Sequence, residues 1–168
     1  MRYVSDLYNR DGIIIDEADQ NGFYPFVKDC CVNELTKCCP EYNNDDLGIF
    51  VVSDSSQQPY IRSYFKSIES TQYRGMASSK LFRCTPVNGL ASFLSIELKT
   101  DSPALTLLAK QDEEMRTDEY LRQLITNGLM KAAMILRIFI DYVSDEQYRV
   151  VLDISFLDNT EKKSNYGE

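Results

Sequence analysis

The most reactive side chains in this chain of 168 residues belong to its five cysteines. Four of them form two adjacent pairs, Cys30-Cys31 and Cys38-Cys39, and the fifth is Cys84. The odd number and the paired spacing argue against the disulfide framework of a small secreted protein. On a helix, Cys31 and Cys38 would lie about 10 Å apart along the axis, too far to share one metal ion. We therefore interpret the cysteines as buried apolar core residues, with a redox or metal-binding role as the alternative.

Histidine is absent from the chain, and its absence excludes several classes of catalytic site. Histidine is the usual general base and the commonest metal ligand near neutral pH. Without it, the chain has no Ser-His-Asp or Cys-His nucleophile and no zinc-hydrolase site of the common kinds. Carboxylate, lysine, tyrosine or cysteine chemistry stays open, but no motif for it is recognisable. We predict a non-enzymatic protein with no catalytic residues, no metal site and no cofactor.

Basic residues are concentrated in one short segment. Residues 1–58 have a net charge of −7 and residues 84–168 have −5, whereas residues 59–83 have +4. Arginine and serine side chains both donate hydrogen bonds to phosphate oxygens, so the segment is suited to a small anionic ligand. The candidate anion-binding residues are Arg62, Arg74, Ser78, Ser79, Lys80 and Arg83. The alternative is a solvated face whose basic side chains form salt bridges with acidic neighbours.

The chain as a whole is acidic, with a net charge of −8. This charge disfavours direct binding to nucleic acid, whose phosphates attract basic proteins. Solubility alone explains it, but an acidic surface could also block a basic surface of a protein partner. No secretory signal is recognisable, and the most apolar run, Leu129 to Ile140, is too short to span a bilayer. We expect a cytoplasmic protein that does not contact membranes.

The hydrophobic pattern predicts an N-terminal helix followed by two hairpins. The helix runs from Phe23 to Cys39 and is ended by Pro40. Asn88-Gly89 is a favoured pair in tight hairpin turns and is predicted to join the strands of the second hairpin. The predicted strands lie at 48–52, 60–65, 80–87, 90–99 and 148–157.

A long C-terminal helix is predicted from Asp118 to about Val143, with Thr117 as its N-cap. Its apolar residues extend well beyond one face, which indicates that two sides of the helix are buried. One side could pack against a second copy of the chain or against a partner helix. The candidate partner surface consists of Gly128, Met130, Ala133, Met134 and Ile138. The alternative is that other elements of the same chain cover these residues.

Together these elements predict an α+β fold. A central antiparallel sheet of about five strands would be packed by the N-terminal helix and the long C-terminal helix. We expect a single domain over residues 1–157 and a polar C-terminal tail over residues 158–168.

The order helix, four strands, long helix resembles the core of a GAF domain, a relative of the PAS sensor folds. The resemblance covers residues 23–143 and is carried by a polar loop and strand at 45–54 and by the strand pair at 78–87 and 90–98. It departs from the family in the short segment between the hairpins and in the additional strand at 148–157. The resemblance implies a sensory or dimerisation module.

The expected function is therefore a binding or regulatory one. A GAF-like module that senses a small anionic ligand or mediates dimerisation is the first hypothesis. A stand-alone acidic inhibitor or immunity protein is the alternative, and an enzyme using lysine, tyrosine or carboxylate groups is the third.

Overall fold

The structure, a computed structural model, describes residues 3–4, 13–16, 23–38, 44–53, 58–70, 86–108, 114–144 and 147–158. The strands are Tyr3–Val4 (β1), Ile13–Asp16 (β2), Leu47–Val52 (β3), Ala104–Leu107 (β4), Ala132–Tyr142 (β5) and Gln147–Asp158 (β6). The helices are Phe23–Cys38 (α1), Gln58–Ser70 (α2), Gly89–Leu98 (α3) and Glu114–Thr126 (α4), and a short 3₁₀ turn, Asn44–Asp46, precedes β3.

These strands form one mixed sheet in the order β1-β6-β5-β3-β4, and β2 also pairs with β6. Its body consists of β4, β3, β5 and β6, to which the short β1 and β2 add antiparallel pairing along β6. Strand β3 is parallel to both β4 and β5, and β5 and β6 form a long antiparallel hairpin. All six residues of β3 are buried, which is typical of a central parallel strand covered by helices on both faces.

Helices cover the two faces of the sheet unequally. The larger apolar core lies between one face and α1, α2 and α3, to which Val27, Tyr60 and Leu94 contribute. The smaller core lies under α4, where Leu121 and Ile125 pack against the opposite face. Successive β3 residues alternate between the two cores, as the pleat of a strand requires.

The α+β class is confirmed, but the prediction of an antiparallel sheet is wrong. Residues 60–65, predicted as a strand, lie in α2. Tyr60 and Ser63 are buried there, and a spacing of three residues places them on one side of a helix. The antiparallel neighbour predicted for β3 is thus a helix, and its two actual neighbours run parallel to it.

The second predicted hairpin is also wrong where the structure describes it. Residues 90–98 form α3, with Leu90, Ala91, Leu94 and Leu98 buried at helical spacing. The apparent alternation of Leu94, Ile96 and Leu98 misled the prediction, because Ile96 is 75% exposed. Residues 80–85 of the other predicted strand lie outside the described residues. This pair of strands is one of the two features that carry the GAF resemblance, the other being the polar loop and strand at 45–54.

The single helix predicted over 118–143 divides into α4 and β5. Gly128 follows α4 with a φ of 74°, a left-handed conformation that commonly ends helices. Ala132 to Ile138 are then buried without interruption. A fully buried strand has no alternating pattern, so its sequence cannot be distinguished from a buried helix by periodicity. By contrast, the helix at 23–39 and the strands at 48–52 and 148–157 are confirmed, with small differences in their ends.

The amino ends of the parallel strands are tied together by polar contacts. Lys131, just before β5, forms an ion pair with Asp46 at 2.7 Å, and its amide donates to the Asp46 carbonyl at 2.9 Å. Ser102, just before β4, donates to the Asp45 carbonyl. These contacts fix the relative position of the strands at their amino ends. The connections that lead to α2 and α4 start at the opposite, carboxyl ends of β3 and β4. Among the helices described, none has the length and apolar character needed to cross a bilayer.

Candidate functional site

The carboxyl ends of β3, β4 and β5 lie at the same edge of the sheet because the three strands are parallel. From β3 the chain continues to α2 on one face, whereas from β4 it continues to α4 on the opposite face. In open α/β sheets, ligands bind outside the carboxyl ends of the strands where neighbouring connections diverge in this way. A ligand site is therefore expected at this edge of the sheet.

Strand β5 projects beyond β3 at this edge and remains paired with β6 there. Arg137 is the partner of Val52, the last residue of β3, and β5 continues from there to Tyr142. Arg62 of α2 lies against this projection, with its guanidinium carbon 4.7 Å from the centroid of the Tyr142 ring. A cation over a tyrosine ring is worth about 0.5–1 kcal/mol when the pair is partly exposed. The contact restrains the position of the guanidinium group over the ring.

An aromatic cluster packs against Tyr142. The Tyr142 ring lies 6.2 Å from that of Tyr148, its cross-strand partner, and Tyr148 meets Phe23 edge-to-face at 6.3 Å. Tyr60, in the first turn of α2, packs against Tyr24 at 4.6 Å and accepts a hydrogen bond from the Tyr24 amide. Rings from α1, α2 and the β5–β6 hairpin thus form one connected cluster. It fixes the position of α2, and hence of Arg62, relative to Tyr142.

Two exposed apolar side chains lie beside this contact in sequence. Phe65 follows Arg62 by three residues on α2 and so occupies the neighbouring position on that helix, and Val143 follows Tyr142. Phe65 is 59% exposed and Val143 is 48% exposed. We call Arg62, Phe65 and Tyr142 the Arg62 surface. Arginine and aromatic residues are enriched where proteins bind other molecules, so the composition of this surface is that of a binding site.

The structure describes only one of the six predicted anion-binding residues, and that residue is Arg62. The other five, which lie outside the described residues, are Arg74, Ser78, Ser79, Lys80 and Arg83. Their part in an anion site stays a prediction. Tyr142, the partner of Arg62, was missed because the sequence analysis placed it near the end of a helix instead of at the end of a strand.

The five residues of the predicted partner surface do not form a surface. Met130 is buried before β5, and Ala133, Met134 and Ile138 are buried within it. Gly128 lies in the turn after α4. Met134 and Ile138 belong to the larger core, whereas Met130 and Ala133 belong to the smaller one. The four buried residues are covered by other elements of the same chain, which was the alternative interpretation, whereas Gly128 is exposed.

Cys30 and Cys31 are buried thiols in α1, and for this pair the core interpretation is confirmed. Burial raises the pKa of the Cys31 thiol far above its ordinary value, and the neighbouring Cys30 adds to this increase. The thiolate is the nucleophilic form of cysteine, so Cys31 is chemically inert in the folded protein. Cys39 and Cys84 lie outside the described residues.

The burial of Cys31 leads to a labelling prediction. At pH 8, iodoacetamide should modify Cys31 only after the protein unfolds, because folding both excludes the reagent and keeps the thiol protonated. Peptide mapping by mass spectrometry after timed labelling, with and without urea, would measure this. Labelling of Cys31 in the folded protein as fast as in urea would contradict its placement in the core.

A second charged cluster, absent from the sequence analysis, lies on the opposite face of the sheet. Arg137 in β5 is almost completely buried and pairs with Asp118 of α4 at 2.9 Å. It also donates to the Ser155 hydroxyl at 2.9 Å and lies 3.6 Å from Asp153. The sequence contains one indication of this cluster, since Arg137 is the single charged residue in the apolar run Met134 to Ile140. Because Arg137 is covered by α4, the cluster joins this helix to the sheet and does not present a binding surface.

Comparison with known proteins identifies a similar fold but no family. No protein-family model matches the chain, and no curated protein matches it. Among solved structures, the chain is similar to one described as the ishigamide ketosynthase/chain length factor, with a TM-score of 0.56 and 9% sequence identity. The match covers 73% of this chain but only 38% of that protein. At this identity the likeness concerns the fold alone.

Proposed function

We propose that this protein is a non-enzymatic binding module whose ligand presents an anionic group to Arg62 at the carboxyl edge of the sheet. The observation that carries this proposal is the stacking of Arg62 on Tyr142, at 4.7 Å. It supports the proposal because an arginine whose plane is already held loses less conformational freedom when a ligand binds. The position agrees with the general location of ligand sites in parallel sheets.

The charge distribution also supports an anionic ligand. Arg62 belongs to the segment 59–83, whose net charge is +4 in a chain whose net charge is −8. Lys66 follows Arg62 by one helical turn and is exposed, so two cationic groups lie on the same side of α2. A small anion at this place would meet positive potential on a molecule that otherwise repels it.

Two features favour binding over catalysis. The chain contains no histidine, and the thiol of Cys31 is held in its protonated form by burial. The groups of the Arg62 surface are a guanidinium, a phenol and one apolar side chain. A guanidinium group remains charged at all physiological pH values, so it binds and orients anions but does not exchange protons with them.

The test is isothermal titration with inorganic phosphate, AMP and ATP. Arg62→Ala should weaken the binding of the best of these ligands at least about tenfold, because a hydrogen bond to a charged group contributes about 1.5–3 kcal/mol. Arg62→Lys should lose part of the affinity, since lysine keeps the charge but not the planar fork. Arg122→Ala, which removes an exposed arginine from α4 on the other side of the sheet, is the matched control.

The proposal fails if none of the three anions produces a heat of binding with the wild-type protein. It also fails if Arg122→Ala weakens binding as much as Arg62→Ala does, because binding would then follow net charge and not the Arg62 surface. Circular dichroism of each variant would verify that the fold is retained.

A further inference from the structure

Strand β4 is the last strand at its end of the described sheet. The β3 amides of Ile49 and Ser53 donate to the carbonyls of Pro103 and Leu107, so these odd-numbered residues face β3. Backbone groups alternate in direction along a strand. The carbonyl of Ala104 and the amide of Thr106 therefore point away from the sheet, where another strand would pair with them.

The side chain of Asn88 occupies this position. Its Oδ1 accepts a hydrogen bond from the Thr106 amide at 2.7 Å, and its Nδ2 donates to the Ala104 carbonyl at 3.3 Å. One carboxamide thus provides both the acceptor and the donor that a peptide group of a neighbouring strand would provide. Asn88 mimics a one-residue continuation of the sheet.

The position of Asn88 in the chain makes this role unusual. It directly precedes α3, where an asparagine side chain ordinarily accepts a hydrogen bond from the first turn of the helix. Here the side chain makes no such capping bond and is directed to β4 instead. Its Nδ2 atom also donates a hydrogen bond to the Ser92 hydroxyl at 3.2 Å. The helix therefore lacks this capping bond, while the edge of the sheet is closed.

The β4 edge has the composition of a strand that would pair readily. The segment Ala104 to Leu108 carries no charged residue, and Leu105 and Leu108 are 40% and 64% exposed. Exposed edge strands without charges or prolines are templates for pairing with another chain. Among the described residues, Asn88 is the one whose side chain is seen to occupy the outward backbone groups of this segment.

We propose that Asn88 is an edge cap, and that it keeps β4 from pairing with β4 of a second copy of the chain. The cap holds the outward backbone groups of Ala104 and Thr106 in hydrogen bonds within the monomer. A strand from another copy must displace the carboxamide before it can pair. This inference is independent of the proposed ligand site.

Hydrogen exchange tests the cap directly. In Asn88→Ala, the Thr106 amide should exchange at least about tenfold faster than in the wild type at low micromolar concentration, because it loses its acceptor. Asn88→Asp keeps an acceptor for this amide and should keep it slow, and Ser92→Ala, which removes only the other partner of Asn88, should have no effect. Mass spectrometry with fragmentation resolves this amide, and unchanged exchange in Asn88→Ala would overturn the proposal.

Light scattering over a range of concentrations tests the consequence. Asn88→Ala should shift toward twice the wild-type mass as concentration rises, and the added substitution Leu105→Lys should reverse the shift by placing a charge on the edge. A mass equal to that of the wild type at every concentration, together with fast Thr106 exchange, would overturn the inferred protection against self-pairing. Asn88→Leu, which is similar in size but has no hydrogen-bonding group, provides the same comparison if Asn88→Ala does not fold.

Discussion

Replacing Arg137 with methionine is expected to lower the free energy of unfolding by about 3–5 kcal/mol, the range observed when one partner of a buried ion pair is removed. The Arg137 side chain is 6% exposed, and its guanidinium group contacts Asp118 at 2.9 Å and Asp153 at 3.6 Å. Without it, two carboxylates at 21% and 30% exposure would face each other across α4 and β6 with no cation between them. Urea denaturation followed by circular dichroism measures the change.

The matched control for this prediction is Arg149→Met. Arg149 also lies in a strand of the hairpin, but its side chain is exposed, so its replacement should change the stability by less than about 0.5 kcal/mol. A loss below about 1 kcal/mol in Arg137→Met would mean that water already screens the pair, and the account of the cluster as a joint between α4 and the sheet would be wrong.

A double-mutant cycle separates the charge from the packing of Arg137. Asp118→Asn alone should destabilise the protein, because it removes the nearest anion from a buried cation. The same substitution should be neutral or stabilising in the Arg137→Met background, where the buried cation that faces the carboxylate is gone. Additive effects of the two substitutions would contradict a direct coupling between α4 and β5.

Gly48→Ala is expected to cost about 2–3 kcal/mol, since adding a methyl group to a tightly packed core forces its neighbours to move. A Cβ atom at this position would overlap the Met130 sulfur and lie 2.8 Å from the Phe50 ring and 3.3 Å from the Pro103 carbonyl. The last of these is backbone of the segment that leads into β4, so it cannot move away as a side chain can. Thermal and urea denaturation would measure the loss.

The companion substitution Met130→Ala shows whether crowding is the cause. Met130→Ala should cost less in the Gly48→Ala background than in the wild type, because the new methyl group fills part of the space that the methionine leaves. Gly128→Ala provides a contrast, since a Cβ there meets no atom within 4 Å but the backbone has a φ of 74°. Its cost, about 1–2 kcal/mol, comes from backbone strain, and Met130→Ala should not reduce it.

The candidate site could be predicted from the sequence only in part. Arg62 was identified because basic residues cluster in segment 59–83, and charge clusters can be counted without a structure. Its partner Tyr142 lies eighty residues later in the chain, and nothing in the local pattern links the two. The Arg137 cluster was missed for the same reason, since Asp118, Arg137 and Asp153 come together only when α4 crosses the hairpin.

Local sequence pattern was sufficient to predict the elements for which that pattern is compatible with one secondary structure only. Helix α1 has a regular apolar stripe before Pro40, and β3 is a short run of six buried residues between polar segments. The tertiary structure decided the rest. Ala132 to Ile138 form a strand because both faces are buried between helices, and Asn88 closes the edge of β4 because α3 places it there. In each case the deciding energy comes from burial and hydrogen bonds to residues distant in the chain, which exceed the small local preferences that the sequence displays.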